Sequence, residues 1–292
     1  MKTALIGNTE CYGTERLKEE FEKRDLMLTL VPLKDLVFSV VEGAVKLADG
    51  QGNDLLAHDV YIFRGMGDRT QEVAVIARYL RAHGKVVLED AFARRGVHIG
   101  KLAPTMVDQH IPIPDYHLLF SENDALFSSV TYPLIVKGLD GSQGRKVRLA
   151  ESEEALHAYL QDKERFEYPI MLQKYLPIEY DYRVIVVDGK PLGAMKRYNK
   201  ENDFLTIRAG GEREKVALSQ EALDIAVRAA HVAQLDVAGV DLVEHEGVYY
   251  RLEVNMSPQF KVFERVTGEN VAGAIVEMLT RKHAEGTSAH QI

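Results

Sequence analysis

Two hydrophobic periods alternate along this chain, and their alternation lays out its elements. TALIGN (residues 3–8) is a short apolar run ending in turn residues. GTERLKEEFEKRD (13–25) spaces its apolar positions as one face of an amphipathic helix, and MLTLVPL (27–33) is a second strand. AHDVYIFRGMGD, TQEVAVIARYLRAHG and KVVLED (57–90) repeat that order, so residues 1–95 read as a βαβ domain with a parallel sheet flanked by helices. Between the two units, FSVVEGAVKLADGQGN (38–53) predicts a hairpin with a Gly-rich turn at a sheet edge. A second region, 96–177, begins with helix signals in HIGKLAPTMVDQ and the turn-rich IPIPDY. It continues as strand, Gly-rich loop and strand in TYPLIVKGLDGSQGRKVRLAES, then a Ser-capped helix SEEALHAYLQDK and a buried strand in PIMLQKYL. A third region, 178–282, opens on the hairpin RVIVVDGKPLGAMKR, whose Asp-Gly turn is a strong local signal. The helix SQEALDIAVRAAHVAQL, a second hairpin and a last helix NVAGAIVEMLTRK follow, and 283–292 is expected to fray.

Composition narrows the function classes. With 292 residues, 46% of them hydrophobic, the chain can bury a substantial core in one large or two smaller domains. A net charge of -8 argues against a generally basic nucleic-acid binder, so no nucleic-acid partner is expected. The single cysteine, Cys11, excludes an internal disulfide framework and a thiolate zinc site and points to a reducing, cytoplasmic compartment. No apolar run approaches the about 18 residues of a membrane span, and the start MKTALIGNTE lacks a signal-peptide core, so no membrane partner is expected. The ten histidines show no metal-binding spacing.

The second hairpin, GVDLVEHEGVYYRLEVNMSPQF (239–260), carries Asp241, Glu253 and Asn255 where core residues would be expected. A three-residue turn at His245-Glu246-Gly247 would set Asp241 against Arg251 and put Asp241, Arg251, Glu253 and Asn255 on one face, with Leu242, Leu252 and Val254 on the other. Two carboxylates held together repel unless a cation sits between them, and this oxygen set suits Mg²⁺. The alternative, a solvent-facing sheet with Arg251 paired to Glu253 or Asp241, stays open on these residues alone. GLDGSQGRKV (138–147) brings Gly138, Gly141 and Gly144 between strands, with Lys137 just before, so that backbone N–H groups can approach an anion. It is neither a P-loop nor a Rossmann fingerprint, and by itself a Gly-rich hairpin is more often a surface turn.

The order of these parts resembles the ATP-grasp superfamily, in its branch of RimK, the ribosomal-protein glutamate ligase, and related amino-acid ligases. The resemblance runs from about Lys101 to Arg281. IVKGLDGSQG is similar to V-V-K-x-x-x-G-[ST]-Q-G, which implies Lys137 on the ATP phosphates and Gly141, Ser142, Gln143 and Gly144 in a phosphate lid. Lys101 in GKLAPTM is similar to an upstream phosphate lysine. QKYL resembles the adenine-reading hinge Q-E-[YF]-[IV], implying Gln173, Lys174, Tyr175 and Leu176 there, with Lys174 replacing a common Glu. IEYDYRVIVVDG resembles the D-[IVL]-R strand, implying a ribose or hinge contact for Asp181 and a triphosphate or acyl-phosphate contact for Arg183. MKRY matches the stretch holding a second phosphate arginine, Arg197. GVDL and LEVNMSP resemble G-V-D-[IL] and [LM]-E-V-N-x-S-P, implying Asp241, Glu253 and Asn255 as Mg²⁺ ligands.

Two departures stand out. FLTIRAGG has Leu205 and Ile207 where the family writes Arg and Asn, moving a phosphate contact to Arg208 or removing it, and Gln259 replaces a glycine near the acceptor. The resemblance implies an α/β chain, α+β in its core, with the ATP-grasp fold: an N-terminal βαβ pre-ATP-grasp domain, then two α+β subdomains clasping ATP. It implies ATP and Mg²⁺, with Mn²⁺ as a substitute, and an ADP-forming carboxylate–amine ligase working through an acyl phosphate. Arg183 and Arg197 would be the catalytic cations. The partners would be a small amino acid, glutamate among the candidates, and a carboxylate-bearing peptide, amino acid or carrier protein; a homo-oligomer stays open. An ATP-grasp kinase acting on a hydroxyl and a non-catalytic ATP-binding regulatory module are the alternatives. Donor and acceptor are not legible, because they meet loops that carry no motif.

Overall fold

In the computed structural model the described residues are 1–67, 69–88, 103–138, 147–162, 169–177, 179–198 and 211–289. Lys101, Gly141, Ser142, Gln143, Gly144, Leu205, Ile207 and Arg208 lie outside them.

The N-terminal region alternates β1 (Lys2–Gly7), α1 (Tyr12–Glu22), β2 (Met27–Pro32), β3 (Val37–Val41), β4 (Ala44–Ala48), β5 (Val60–Arg64), α2 (Thr70–Ala82) and β6 (Val86–Leu88). Its sheet runs β2-β1-β5-β6 and is parallel throughout, as the βαβ pattern predicts. Ala4, Leu5 and Ile6 of β1 and every residue of β5 are buried, because a parallel sheet is covered on both faces and its strands read as unbroken apolar runs. The predicted hairpin exists as β3 and β4, but it forms its own two-stranded sheet and does not extend the edge of the parallel one. Leu47 anchors it in the core while Val37, Val40 and Val41 stay exposed.

The next region comprises α3 (Ala103–Asp108), β7 (Tyr116–Leu119), α4 (Asp124–Phe127), β8 (Leu134–Gly138), β9 (Val147–Ala150), α5 (Glu153–Leu160) and β10 (Ile170–Lys174). Its antiparallel sheet, β7-β10-β8-β9, holds α5 through Leu156 and Leu160, packed on Val136, Ile170 and Leu172. Ser152 caps α5 as its sequence predicts, accepting from the Ala155 N–H at 3.3 Å.

The last region is β11 (Tyr180–Val187), β12 (Lys190–Tyr198), β13 (Arg213–Val216), α6 (Gln220–Val232), β14 (Val237–His245), β15 (Val248–Met256), α7 (Lys261–Thr267) and α8 (Val271–Ala289). The antiparallel sheet is ordered β13-β12-β11-β14-β15. Asp188 and Gly189, at φ 54° and 69°, make the two-residue turn expected of Asp-Gly. One face packs Val184, Val240, Leu242 and Val254 on the alanine-rich face of α6. On the other face Ile185, Val187 and Val237 join α7, α8 and the N-terminal Leu5, Leu17 and Phe21 in a single cluster, so the first and last regions share a core. α8 does not stop at Lys282: it continues to Ala289, where fraying from 283 was expected. An Arg281–Glu285 ion pair at 2.5 Å one turn apart, with Arg281 also on Asp188, supports the extension. Among the described residues no helix is long and apolar enough to cross a membrane.

Candidate active site

The register of the β14–β15 hairpin differs from the expected one. Its turn is the two-residue Glu246-Gly247, at φ 51° and 77°, so His245 pairs with Val248 and Leu242 with Arg251. Continued unbroken, that register would oppose Asp241 to Leu252. A bulge between Asp241 and Leu242 shifts it, and Asp241 pairs with Glu253 while Gly239 pairs with Asn255. The expected pairing of Asp241 with Arg251 is therefore replaced by two carboxylates directly opposed, an arrangement that costs stability unless cations compensate.

The neighbouring strands supply those cations. Arg183 of β11 is in register with Asp241 and grips it with both arms of its guanidinium, Nη2 to Oδ2 at 2.8 Å and Nε to Oδ1. Arg197 of β12, in register with Asp181, grips that carboxylate in the same forked way, Nε to Oδ1 at 2.6 Å, and reaches Asp241 Oδ1 at 3.0 Å. Asn255 donates Nδ2–H to the Gly239 carbonyl at 3.3 Å and to Asp241 Oδ2 at 3.4 Å. One sheet face thus carries Arg197, Asp181, Arg183, Asp241 and Glu253 across four strands. Asp181 and Asp241 are 6% exposed or less, whereas Asn255 is half-buried and Glu253 exposed, so the face is covered at its centre and open to solvent at Glu253.

Burial and mutual charge set the proton affinities. Neighbouring protein partly desolvates the Glu253 carboxyl, although the residue stays exposed, and pushes it above its ordinary range; Asp241 adds to this, with Arg183, Lys137 and Asn255 opposing. For Asp241 burial also pushes upward, but Arg183 and Arg197 together outweigh it and hold the carboxyl low. Asp181 is raised by burial to about 6, against the pull of Arg197. Arg251 was expected beside Asp241. It is in register with Leu242 instead, with its N–H on the Pro112 carbonyl at 2.8 Å, and burial lowers its guanidinium to about 10 despite Glu253.

Lys137 comes from the other sheet, at the end of β8 where the Gly-rich segment begins. Burial lowers its ammonium to about 8; Glu253 counters this and Arg251 adds to it. Lys137, on one subdomain, and Glu253, on the next, therefore lie within each other's electrostatic reach, which no local pattern could disclose. Gln173 and Lys174 end β10, whose Met171 is the register partner of Lys137. Gln173 and Leu176 are buried, Tyr175 is half-buried with its phenol raised by burial, and Lys174 is exposed with its N–H on the Asp115 carbonyl at 2.7 Å.

The donor set suits a small hard cation completed by phosphate oxygens: two opposed carboxylates and a side-chain amide. Both Asp241 oxygens are engaged by Arg183, with Arg197 and Asn255 adding one contact each. Binding an ion there would require those donors to turn aside and the Asn255 amide to present its oxygen. Among the described residues no group of three or more His, Cys, Asp or Glu side chains converges on one point. Sequence reasoning missed Gly239, the register partner of Asn255. A Cβ there would lie 2.8 Å from Pro258 Cβ and 3.2 Å from Arg183 Nη1, and a glycine inside an apolar strand was the available signal.

Residues 101–279 match the RimK-like ATP-grasp domain. A protein of Picosynechococcus sp. named probable alpha-L-glutamate ligase is 34% identical over 100% of this chain and 99% of its own length. The ATP-grasp ligase PsnB, solved with a phosphomimetic variant of its minimal precursor, Mg and ADP, superposes with a TM-score of 0.76 at 18% identity, covering 96% of this chain and 98% of the other. A RimK domain ATP-grasp protein from Sphaerobacter thermophilus gives 0.73 at 20% identity, covering 96% and 99%. At those identities the two structures speak for the fold.

Proposed function

The chain belongs to the RimK-like ATP-grasp family of ADP-forming ligases, and from that premise we propose that it joins an amino acid, glutamate first among the candidates, to a peptide, amino acid or carrier through an acyl phosphate. The observation that supports this reading is the pair of opposed carboxylates Asp241 and Glu253, with Arg183 and Arg197 on Asp241 and Lys137 of the other sheet within electrostatic reach of Glu253. In this reading Lys101, Lys137, Gly141, Ser142, Gln143 and Gly144 take the phosphates, with Arg208 beside them. Gln173, Lys174, Tyr175 and Leu176 take the adenine, and Asp181 the ribose or hinge. Asp241, Glu253 and Asn255 would hold Mg²⁺, which when bound draws negative charge from the phosphate oxygens.

The substrate carboxylate attacks the γ-phosphorus of ATP, forming an acyl phosphate and releasing ADP. An amine then attacks the acyl carbon and expels phosphate. Lys137 and Arg183 neutralise charge on the transferring group, and Arg183 or Arg197 faces the oxyanion of the second step. Arg183 spends Nε and Nη2 on Asp241 and keeps its Nη1 hydrogens for the substrate. No protein nucleophile takes part.

A chain with one cysteine and no membrane-crossing helix among the described residues is placed in the cytoplasm by this reading. The test is ADP release across paired amino acids and peptides, with mass spectrometry of the products. An amide product that appears only with both partners is expected. ADP formed with an alcohol and no amide would identify a kinase, and nucleotide binding without ADP under any mixture would identify a regulatory module.

A further inference from the structure

A buried arginine from the N-terminal domain reaches the turn that follows Asn255. Arg64 ends β5, is 4% exposed, and has no part in the site as described above. Its main chain is held by β1: Asn8 N–H donates to the Arg64 carbonyl at 2.9 Å, and a Cβ on Gly7 would lie 1.7 Å from that oxygen, so only glycine permits the approach. From this anchor the guanidinium crosses to the last region. Nη2 donates to the Pro258 carbonyl at 3.0 Å, and the group lies 5.2 Å from the Phe260 ring centre. Tyr12, at the start of α1, packs edge-on to Phe260 at 6.1 Å and donates to Glu264 at 2.8 Å, closing the other side.

The turn so held is confined from within the site as well. Ser257 adopts a left-handed φ of 47°, which places Pro258 directly over Gly239, and Gly239 in turn is the register partner of Asn255 and accepts its amide. Arg64, Pro258, Gly239 and Asn255 therefore form a contiguous run of contacts from one domain to the other, ending on Asp241 and Arg183. We propose that Arg64 is a positioning residue: it holds the 257–259 turn so that Asn255 and Gly239 keep their places beside Asp241, coupling the N-terminal domain to the metal-binding end of the hairpin. The proposal rests on the reading of Asp241, Glu253 and Asn255 as the Mg²⁺ set. A group that orients a metal ligand is typically worth about 10- to 100-fold in metal affinity.

The test measures Mn²⁺ binding to the ADP-loaded full chain by the paramagnetic signal of free Mn²⁺, and ADP binding without metal, in wild type, Arg64→Ala and Arg64→Lys. Arg64→Ala should weaken Mn²⁺ binding about tenfold while metal-free ADP binding stays within about twofold. Arg64→Lys, which keeps a cationic donor, should recover most of the loss. Arg64→Met, which keeps the aliphatic stem and loses the donor to Pro258, should reproduce the defect and serves if Arg64→Ala does not fold. Wild-type Mn²⁺ affinity in Arg64→Ala, or an equal loss of metal-free ADP binding, overturns the positioning role. A wild-type chain that binds ADP but no Mn²⁺ instead overturns the metal reading beneath it, so the two failures are distinguishable.

Discussion

Replacing Lys137 by Met keeps the aliphatic stem and removes the charge, and the structure makes stability and activity move in opposite directions. Desolvation lowers the ammonium of the half-buried Lys137 from 10.5 to about 8, which, discounted for the solvent that still reaches it, corresponds to at most about 3 kcal/mol of unfavourable charge burial. The folded value lies below the unfolded one, so the charge destabilises the native state most below pH 8, and that cost disappears as pH rises toward 10.5. Wild type should therefore gain stability across that window and the Met variant should not. Near pH 7 the variant should melt higher, by roughly 2–4 °C for each kcal/mol relieved. Activity should fall. If the ammonium stabilises charge developing on the transferring phosphoryl group, kcat/KM for ATP should drop about 10²- to 10³-fold, or about 3–4 kcal/mol. Thermal melts from pH 7 to 10.5, beside ADP release at matched folding, read both signs. A variant within about threefold of wild type in ADP release, or one that melts lower at neutral pH, would refute the reasoning.

The two opposed carboxylates should respond differently. Glu253→Gln relieves repulsion from Asp241 and should fold at least as stably as wild type while losing Mg²⁺-dependent ADP release. Asp241→Asn strands Arg183 and takes one contact from Arg197, which keeps Asp181, and should lose activity together with about 3 kcal/mol of stability in a urea melt. Gly141→Ala with Gly144→Ala should raise the KM for ATP, because a Cβ obstructs backbone approach to phosphate; unchanged nucleotide kinetics would reduce that segment to a plain turn.

Local pattern carried the element order a long way. The alternation of strand and helix signals over residues 3–90 announced a parallel sheet flanked by helices, Ser152 announced the start of α5, and Asp188-Gly189 announced a two-residue turn. Each of these signals acts over a few residues, so it is written in adjacent positions. The resemblance carried by IVKGLDGSQG, GVDL and LEVNMSP extended this to the candidate site residues, since chemistry of this kind needs fixed residue types in a fixed order.

What escaped the sequence was pairing across strands and between sheets. The two-residue turn at Glu246-Gly247 moves every partner along the hairpin by one step from the expected register, and the bulge at Leu252 moves it one step more, so that Asp241 meets Glu253 and not Arg251. That the Asp241 charge is satisfied by Arg183 and Arg197 depends on the order β12-β11-β14, in which residues more than forty positions apart become neighbours. Lys137 comes under the influence of Glu253 because two separate sheets converge, and Arg64 touches Pro258 because the first and last regions share one core. The amino-acid order determined which groups this protein has available, whereas their partners, and therefore their charges, were decided by tertiary packing, because desolvation and Coulomb energy depend on distance through space and not along the chain.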